Sequence, residues 1–186
     1  MTGCRLCDSR KLARFLDLGF SPPADDFLIE ERLNKPETYY PLRVVRCDEC
    51  SFIQLDYVVD QEVLYQNDYP YESSVTATGR THFDRFAESV IADFSLESAD
   101  LVVDIGSNVG VLLDGFKRRG MGVLGVDPAK NIAKIANKSG IPTISEFFSP
   151  DVARKITRDH RPARVITASN VFAHVDNIRS FTEGVR

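Results

Sequence analysis

No apolar run in this sequence approaches the roughly 20 residues that a bilayer-spanning helix needs, which argues against a helical membrane protein. Internal repeats and low-complexity tracts are also missing, so solenoids and arrays are excluded. Nor is there a surplus of positive charge. Twenty-three Lys and Arg face 27 Asp and Glu, a formal net charge of −4, which argues against a general nucleic-acid or anionic-membrane surface. The opening Met-Thr-Gly-Cys-Arg carries no apolar signal core, so a cytoplasmic location is expected. Cysteine is scarce, with four residues. In a reducing compartment they point to a metal before they point to disulfides. What remains is 186 residues, 43% of them hydrophobic, the share of a folded chain. That length holds one ordinary domain, or a small one and part of a larger.

The chemistry of the chain centres on Leu101-Val102-Val103-Asp104-Ile105-Gly106-Ser107-Asn108-Val109-Gly110. Leu101 to Ile105 reads as a buried parallel strand, and the two glycines turn it into a helix that begins near Val111. Glycine permits a sharp bend and a close ligand approach. A second strand, from Val123, ends in Asp127, followed by Pro128. An acid at that strand tip can accept hydrogen bonds from both hydroxyls of a ribose. The pattern differs from the dinucleotide fingerprint, and no Gly-Lys-Ser/Thr follows to make a Walker loop. It resembles the first motif of S-adenosylmethionine-dependent methyltransferases.

Cys4-Arg5-Leu6-Cys7 and Cys47-Asp48-Glu49-Cys50 are two Cys-x-x-Cys knuckles. Together they offer four thiolates, a complete tetrahedral zinc set with no open position for catalysis. Such a metal stabilises a module too small to build its own core. Four unrelated thiols, or one redox pair, are the competing readings. Between the knuckles, strands are expected over Leu12–Leu18 and Tyr40–Arg46, with a turn at Gly19–Pro23 and a hairpin partner at Phe52–Leu55. A zinc-binding β module is therefore placed over residues 1–58. Residues 59–80 follow as a linker or lid, rich in tyrosine, including Tyr69-Pro70-Tyr71-Glu72-Ser73-Ser74. Residues 81–186 read as an incomplete Rossmann-like α/β methyltransferase sheet.

Thr81 to Phe94 has helical apolar spacing. Helices are then expected at Val111–Arg119, Pro128–Ser139 and Asp151–Arg158, with strands at Ile141–Ile144 and Arg164–Ala168. The Lys117-Arg118-Arg119 run reads as a solvated cationic helix end. Ligands of an open parallel sheet sit beyond the carboxyl ends of its strands. That rule gathers Gly106, Asp127, Phe147 and Asn170 around one crevice, with His174 near its mouth.

The ordered series of motifs resembles the sugar C-methyltransferases that act on nucleotide-linked deoxy-ketosugars. It comprises the paired knuckles, Leu16-Asp17-Leu18-Gly19, Tyr69 to Ser74, His82-Phe83, Asp104 to Gly110, Asp127-Pro128, Phe147-Phe148, and Asn170 to His174. The resemblance implies a class I S-adenosylmethionine fold, structural zinc on Cys4, Cys7, Cys47 and Cys50, and a nucleotide-sugar substrate. It implies cofactor contacts from Asp104, Gly106, Ser107, Asn108, Gly110, Asp127, Pro128, Phe147 and Asn170, and a substrate side at Tyr71 and His174. Family members continue for about this length again and carry a Glu-His pair as base, so an N-terminal fragment that binds cofactor without turnover is expected. Methylation of an oxygen or nitrogen, and a non-catalytic zinc- and nucleotide-binding module, remain open readings.

Overall fold

The structure is a computed structural model that describes residues 3–65, 69–73, 75–98 and 100–186. Gln66, Asn67, Asp68 and Ser74 of the tyrosine-rich stretch lie outside the described residues. The chain divides into two compact units. One runs to Leu64 and includes Asp176–Arg179; the other holds Tyr65–Val175 and Ser180–Arg186.

The first unit is a three-stranded antiparallel sheet in the order β1-β2-β3, from Leu12–Ser21, Tyr40–Cys47 and Ile53–Leu55. The expected turn at Gly19–Pro23 is displaced. β1 continues through Phe20, and the chain irregularity becomes a register shift between Asp17 and Phe20, with Gly19 at φ 77°. Arg43 on β2 pairs with Asp56 just beyond β3 at 2.9 Å. Apolar burial is sparse: of the hydrophobic residues before Leu64, Cys4, Val45 and Cys47 are buried, while Phe15, Leu18, Phe20 and Phe27 are exposed. A short helix, α1 (Gln61–Tyr65), occupies ground read from sequence as linker. Its five residues are too few for a helical period to register.

The second unit is a parallel sheet in the order β6-β5-β4-β7 with helices on both faces. Its strands are β4 (Leu101–Ile105), β5 (Gly122–Val126), β6 (Thr143–Ile144) and β7 (Val165–Thr167). Its helices are α2 (Ala77–Asp93), α3 (Val111–Arg118), α4 (Lys130–Lys138), α5 (Pro150–Asp159) and α6 (Ile178–Val185). Alternation along β4 sorts the core. Val102 packs with Ala87 and Val90 of α2 and with Leu112, Leu113 and Phe116 of α3. Leu101 and Val103 pack on the opposite face with Val152 and Ile156 of α5. The side-chain period of two makes this division unavoidable once both faces are covered.

Thr76 caps α2, its hydroxyl accepting from the Gly79 N–H at 3.0 Å, and Ser149 caps α5 in the same manner. The cationic end of α3 is not simply solvated. Arg118 and Arg119 reach Asp84 on α2 at 2.9 and 2.6 Å, and these charges hold that carboxyl below its usual range. No helix among the described residues is long and apolar enough to cross a membrane.

Candidate functional site

The two knuckles are built alike. Each first cysteine accepts at its carbonyl from the N–H four residues on, Asp8 to Cys4 and Ser51 to Cys47, both at 2.9 Å. Asp8 and Ser51 both adopt the left-handed conformation, at φ 61° and 62°. Each first cysteine then donates its own N–H five residues on, to Ser9 and Phe52. These turns bring the four Sγ atoms within 4.8 Å of one another, with Cys4–Cys50 and Cys7–Cys47 both at 3.6 Å. Zn–S bonds of ~2.3 Å in a tetrahedron require S···S separations of ~3.8 Å. The donor set therefore fits a zinc ion, and a redox pair would leave two of the sulfurs unexplained. The Cys50 backbone N–H is the main group that lowers the Cys47 thiol to about 7, while Cys7 is pushed up to about 12 and Cys50 is raised beside it.

Gln54 was not singled out from sequence. It is buried on β3, where its Oε1 accepts from the Arg5 N–H at 2.9 Å and its Nε2 donates to the Gly3 carbonyl at 3.2 Å. Its amide thus joins the second hairpin strand to the first knuckle. The only sequence signal was a polar residue in a three-residue strand.

In the second unit the carboxyl ends of β6, β5, β4 and β7 lie along one edge, and β4 is where the chain order reverses. After β4 the backbone turns through Gly106 (φ 66°), Asn108 (φ 50°) and Gly110 (φ 84°). The glycines are required by the sharp turn, as expected, and by their close neighbours as well. A Cβ at Gly106 would lie 2.4 Å from Val171 Cγ2, and one at Gly110 would lie 2.8 Å from Ile141 Cγ2. Val171 and Ile141 thus stand where a side chain at these two positions would begin. Val171 lies between Asn170 and His174, so the loop after β7 is packed directly onto the glycine turn.

Two buried acids flank the turn. Asp127 Oδ2 accepts from the Asn108 N–H at 2.8 Å, and Oδ1 accepts from the Ala129 N–H at 3.0 Å. Burial pushes its carboxyl up, against those two donors. Asp104 is fully enclosed and accepts from the Thr167 hydroxyl at 2.6 Å. Burial pushes it up to about 7, with the Thr167 hydroxyl opposing and the Asp127 charge adding to the rise. No cation among the described residues contributes to either shift. The Ser107 hydroxyl is buried without a hydrogen-bond partner among the described residues.

Hydrogen bonds join some of the expected residues and leave others apart. Asn108 Oδ1 accepts from the Ser73 N–H at 2.8 Å and its hydroxyl at 3.2 Å, and Asn108 Nδ2 donates to the Tyr71 carbonyl at 2.9 Å. The Tyr71 ring itself is exposed. Pro128 is half-buried just after Asp127, and Phe147 is half-buried beyond β6. Asn170 (φ 57°) is exposed, as is His174 at the end of the 3-10 turn Phe172–His174. Phe147, Asn170 and His174 share the strand-end edge with the acids through the loops that follow β6 and β7. Thr167 and Asn131 were missed, because a single hydroxyl or amide in a strand or helix has no sequence pattern.

The family model for "Methyltransferase domain" matches residues 80–183, and the one for "Putative zinc binding domain" matches residues 4–65. C-methyltransferase NovU of Streptomyces niveus is 34% identical over 182 residues. That match covers 98% of this chain and 43% of NovU, so the chain spans less than half of that curated relative. Two solved structures are similar over part of the chain. The plantazolicin methyltransferase BpumL in complex with SAH is 21% identical, covering 56% of this chain and 42% of its own, with a TM-score of 0.45. Magnesium protoporphyrin IX methyltransferase (ChlM) from Synechocystis PCC 6803 with bound SAH is 19% identical, covering 42% of each chain, with a TM-score of 0.34.

Proposed function

Because this chain belongs to the methyltransferase domain family, we propose that it binds S-adenosylmethionine at the strand ends around the glycine turn and serves methylation of a carbon on a nucleotide-linked deoxy-ketosugar. The observation that carries this reading is the 34% identity, over 98% of the chain, to a C-methyltransferase. The paired knuckles and the tyrosine-rich segment, both within that match, support the sugar acceptor over an oxygen or nitrogen acceptor. A cytoplasmic location belongs to the same reading.

The site is chemically suited to such a cofactor. Asp104 and Asp127 are two enclosed acids whose charge no described cation offsets, and the cofactor carries an ammonium and a sulfonium. When bound, it supplies an electrophilic methyl group. Asp127 has a second lone pair on each oxygen, beyond those used by Asn108 and Ala129, and these accept the ribose hydroxyls. Phe147 flanks the base from the loop after β6. The turn from Gly106 to Gly110 holds the amino-acid end, and the four cysteines hold zinc as a structural ion. Methylation next to a ketone further requires removal of a proton and stabilisation of the enolate oxygen. The exposed Tyr71 phenol and His174 imidazole are the groups on this edge available to the acceptor, as a hydrogen-bond donor and a proton carrier. Neither is assigned as the base.

The test is tritium transfer from labelled S-adenosylmethionine to a nucleotide-linked 4-ketosugar in a reaction that contains this chain. Label retained on carbon after base hydrolysis is the expected result. Label on oxygen or nitrogen, or transfer to an unrelated acceptor only, contradicts the sugar reading.

A further inference from the structure

The segment Tyr69–Ser73 lies between the two family matches, which end at residue 65 and resume at residue 80. It is nevertheless fastened at both ends. Two asparagine side chains from separate elements read its backbone as a strand would. Asn131, in the first turn of α4, accepts from the Tyr69 N–H at 3.3 Å and donates to the Tyr69 carbonyl at 2.9 Å. Asn108, in the glycine turn, takes the Ser73 N–H at 2.8 Å and donates to the Tyr71 carbonyl at 2.9 Å. Between these two anchors Tyr71 is 56% exposed. The Tyr69 ring packs inward against Val109, Ala129 and Ile132 and meets Tyr65 edge-on at 5.7 Å.

An amide side chain bonded to both the N–H and the carbonyl of one residue fixes that peptide without a neighbouring strand. With Asn131 on Tyr69 at one end, and Asn108 bridging the Tyr71 carbonyl and the Ser73 N–H at the other, the middle has little freedom. Asn108 also donates its own N–H to Asp127. The anchor at Ser73 is therefore one peptide away from the acid assigned to the cofactor ribose.

We propose that Asn131 and Asn108 are positioning residues that latch the Tyr69–Ser73 strap across the glycine turn, holding Tyr71 toward the acceptor and slowing cofactor escape. Asn108 is shared between strap and turn, so filling the turn orders the strap, and a seated strap retains the cofactor. The inference rests on cofactor binding at the turn. Its test must separate failure of the latch from failure of that binding.

The experiment uses the full chain, S-adenosylhomocysteine as probe, hydrogen exchange of residues 69–73, and the dissociation rate in a stopped-flow chase. Asn131→Asp is the informative variant. It is nearly isosteric, keeps the acceptor for the Tyr69 N–H, and replaces the donor to the Tyr69 carbonyl with a carboxylate oxygen. A carboxylate in the first turn of α4 complements the helix dipole, so folding stability holds or rises. Asn131→Ala accompanies it. The latch predicts that the probe slows exchange at residues 69–73 in the unmodified chain. In both variants that protection is lost and dissociation quickens about tenfold, the worth of one to two buried hydrogen bonds, while the melting temperature of the sheet is kept. A packing role alone predicts that Asn131→Asp behaves as the unmodified chain, and that result overturns the latch. Dissociation within twofold of the unmodified rate, with the strap amides exchanging freely, overturns it as well. Failure of the unmodified chain to bind the probe at all overturns the cofactor reading itself.

Discussion

The two units solve the same stability problem by opposite means. The sheet unit fills both faces of β4 and β5 with apolar side chains and two layers of helix, with one core cluster around Val90 and Phe116 and another around Val152 and Ile156. Among the described residues before Leu64, two of the three buried apolar ones are themselves cysteines of the cluster, Cys4 and Cys47, and Val45 stands almost alone beside them. Around 60 residues bury too little surface to fold securely on hydrophobic terms. The difference teaches what the metal is for. In one unit apolar area carries the fold; in the other a bound ion does, and the strands are its frame.

The largest expected effect breaks that contrast directly. Cys47→Ala, or removal of zinc by a strong chelator, should unfold the first unit and leave the second folded. Structural zinc contributes on the order of 10 kcal/mol to small modules. Hydrogen exchange should show β1–β3 amides losing protection while β4 and β5 keep theirs, and metal analysis should give close to one zinc per chain. Next in size is the mirror experiment, Gly106→Ala. The new methyl would meet Val171 at a φ of 66°, and the strain plus displacement should cost about 2–4 kcal/mol in the sheet unit, read as a lowered melting transition with zinc content unchanged.

The smallest effect concerns pH. Burial pushes the Asp104 carboxyl up to about 7 in the folded state, well above the usual carboxylate range. A carboxyl raised in this way contributes stability that is present below the unfolded value and lost as pH rises through about 7. β4 amides should therefore be better protected at pH 5.5 than at pH 7.5, once intrinsic exchange rates are removed. Asp104→Asn should flatten that dependence. A profile equally steep in the variant would assign the titration to another group.

Much of this was legible beforehand because it is periodic or local. The four parallel strands announced themselves as short apolar runs bounded by glycine and proline, and the knuckles by their spacing. The first-turn boundary of α3 followed from Gly110. What was not legible depends on distant partners. Nothing near Asn131 in the chain says that its amide holds a peptide 62 residues away. Nothing near Gly106 names Val171 as the neighbour that excludes a side chain. The arginines at the end of α3 read as solvent-facing because Asp84 lies a full element earlier. The strap was placed as a linker or lid on composition, and its anchoring to α4 and the glycine turn is visible only in three dimensions.

One measurement bears most directly on the account, which assigns cofactor binding to the edge of the sheet unit and a purely structural role to the zinc unit. It is a calorimetric titration of S-adenosylmethionine into the zinc-loaded chain and into Asp127→Ala. The account predicts one site per chain in the first. In the second it predicts an affinity loss of about 2–4 kcal/mol, from the missing charge-assisted bonds to ribose. Equal affinity in the two proteins, or binding of NAD in place of the methyl donor, would contradict it.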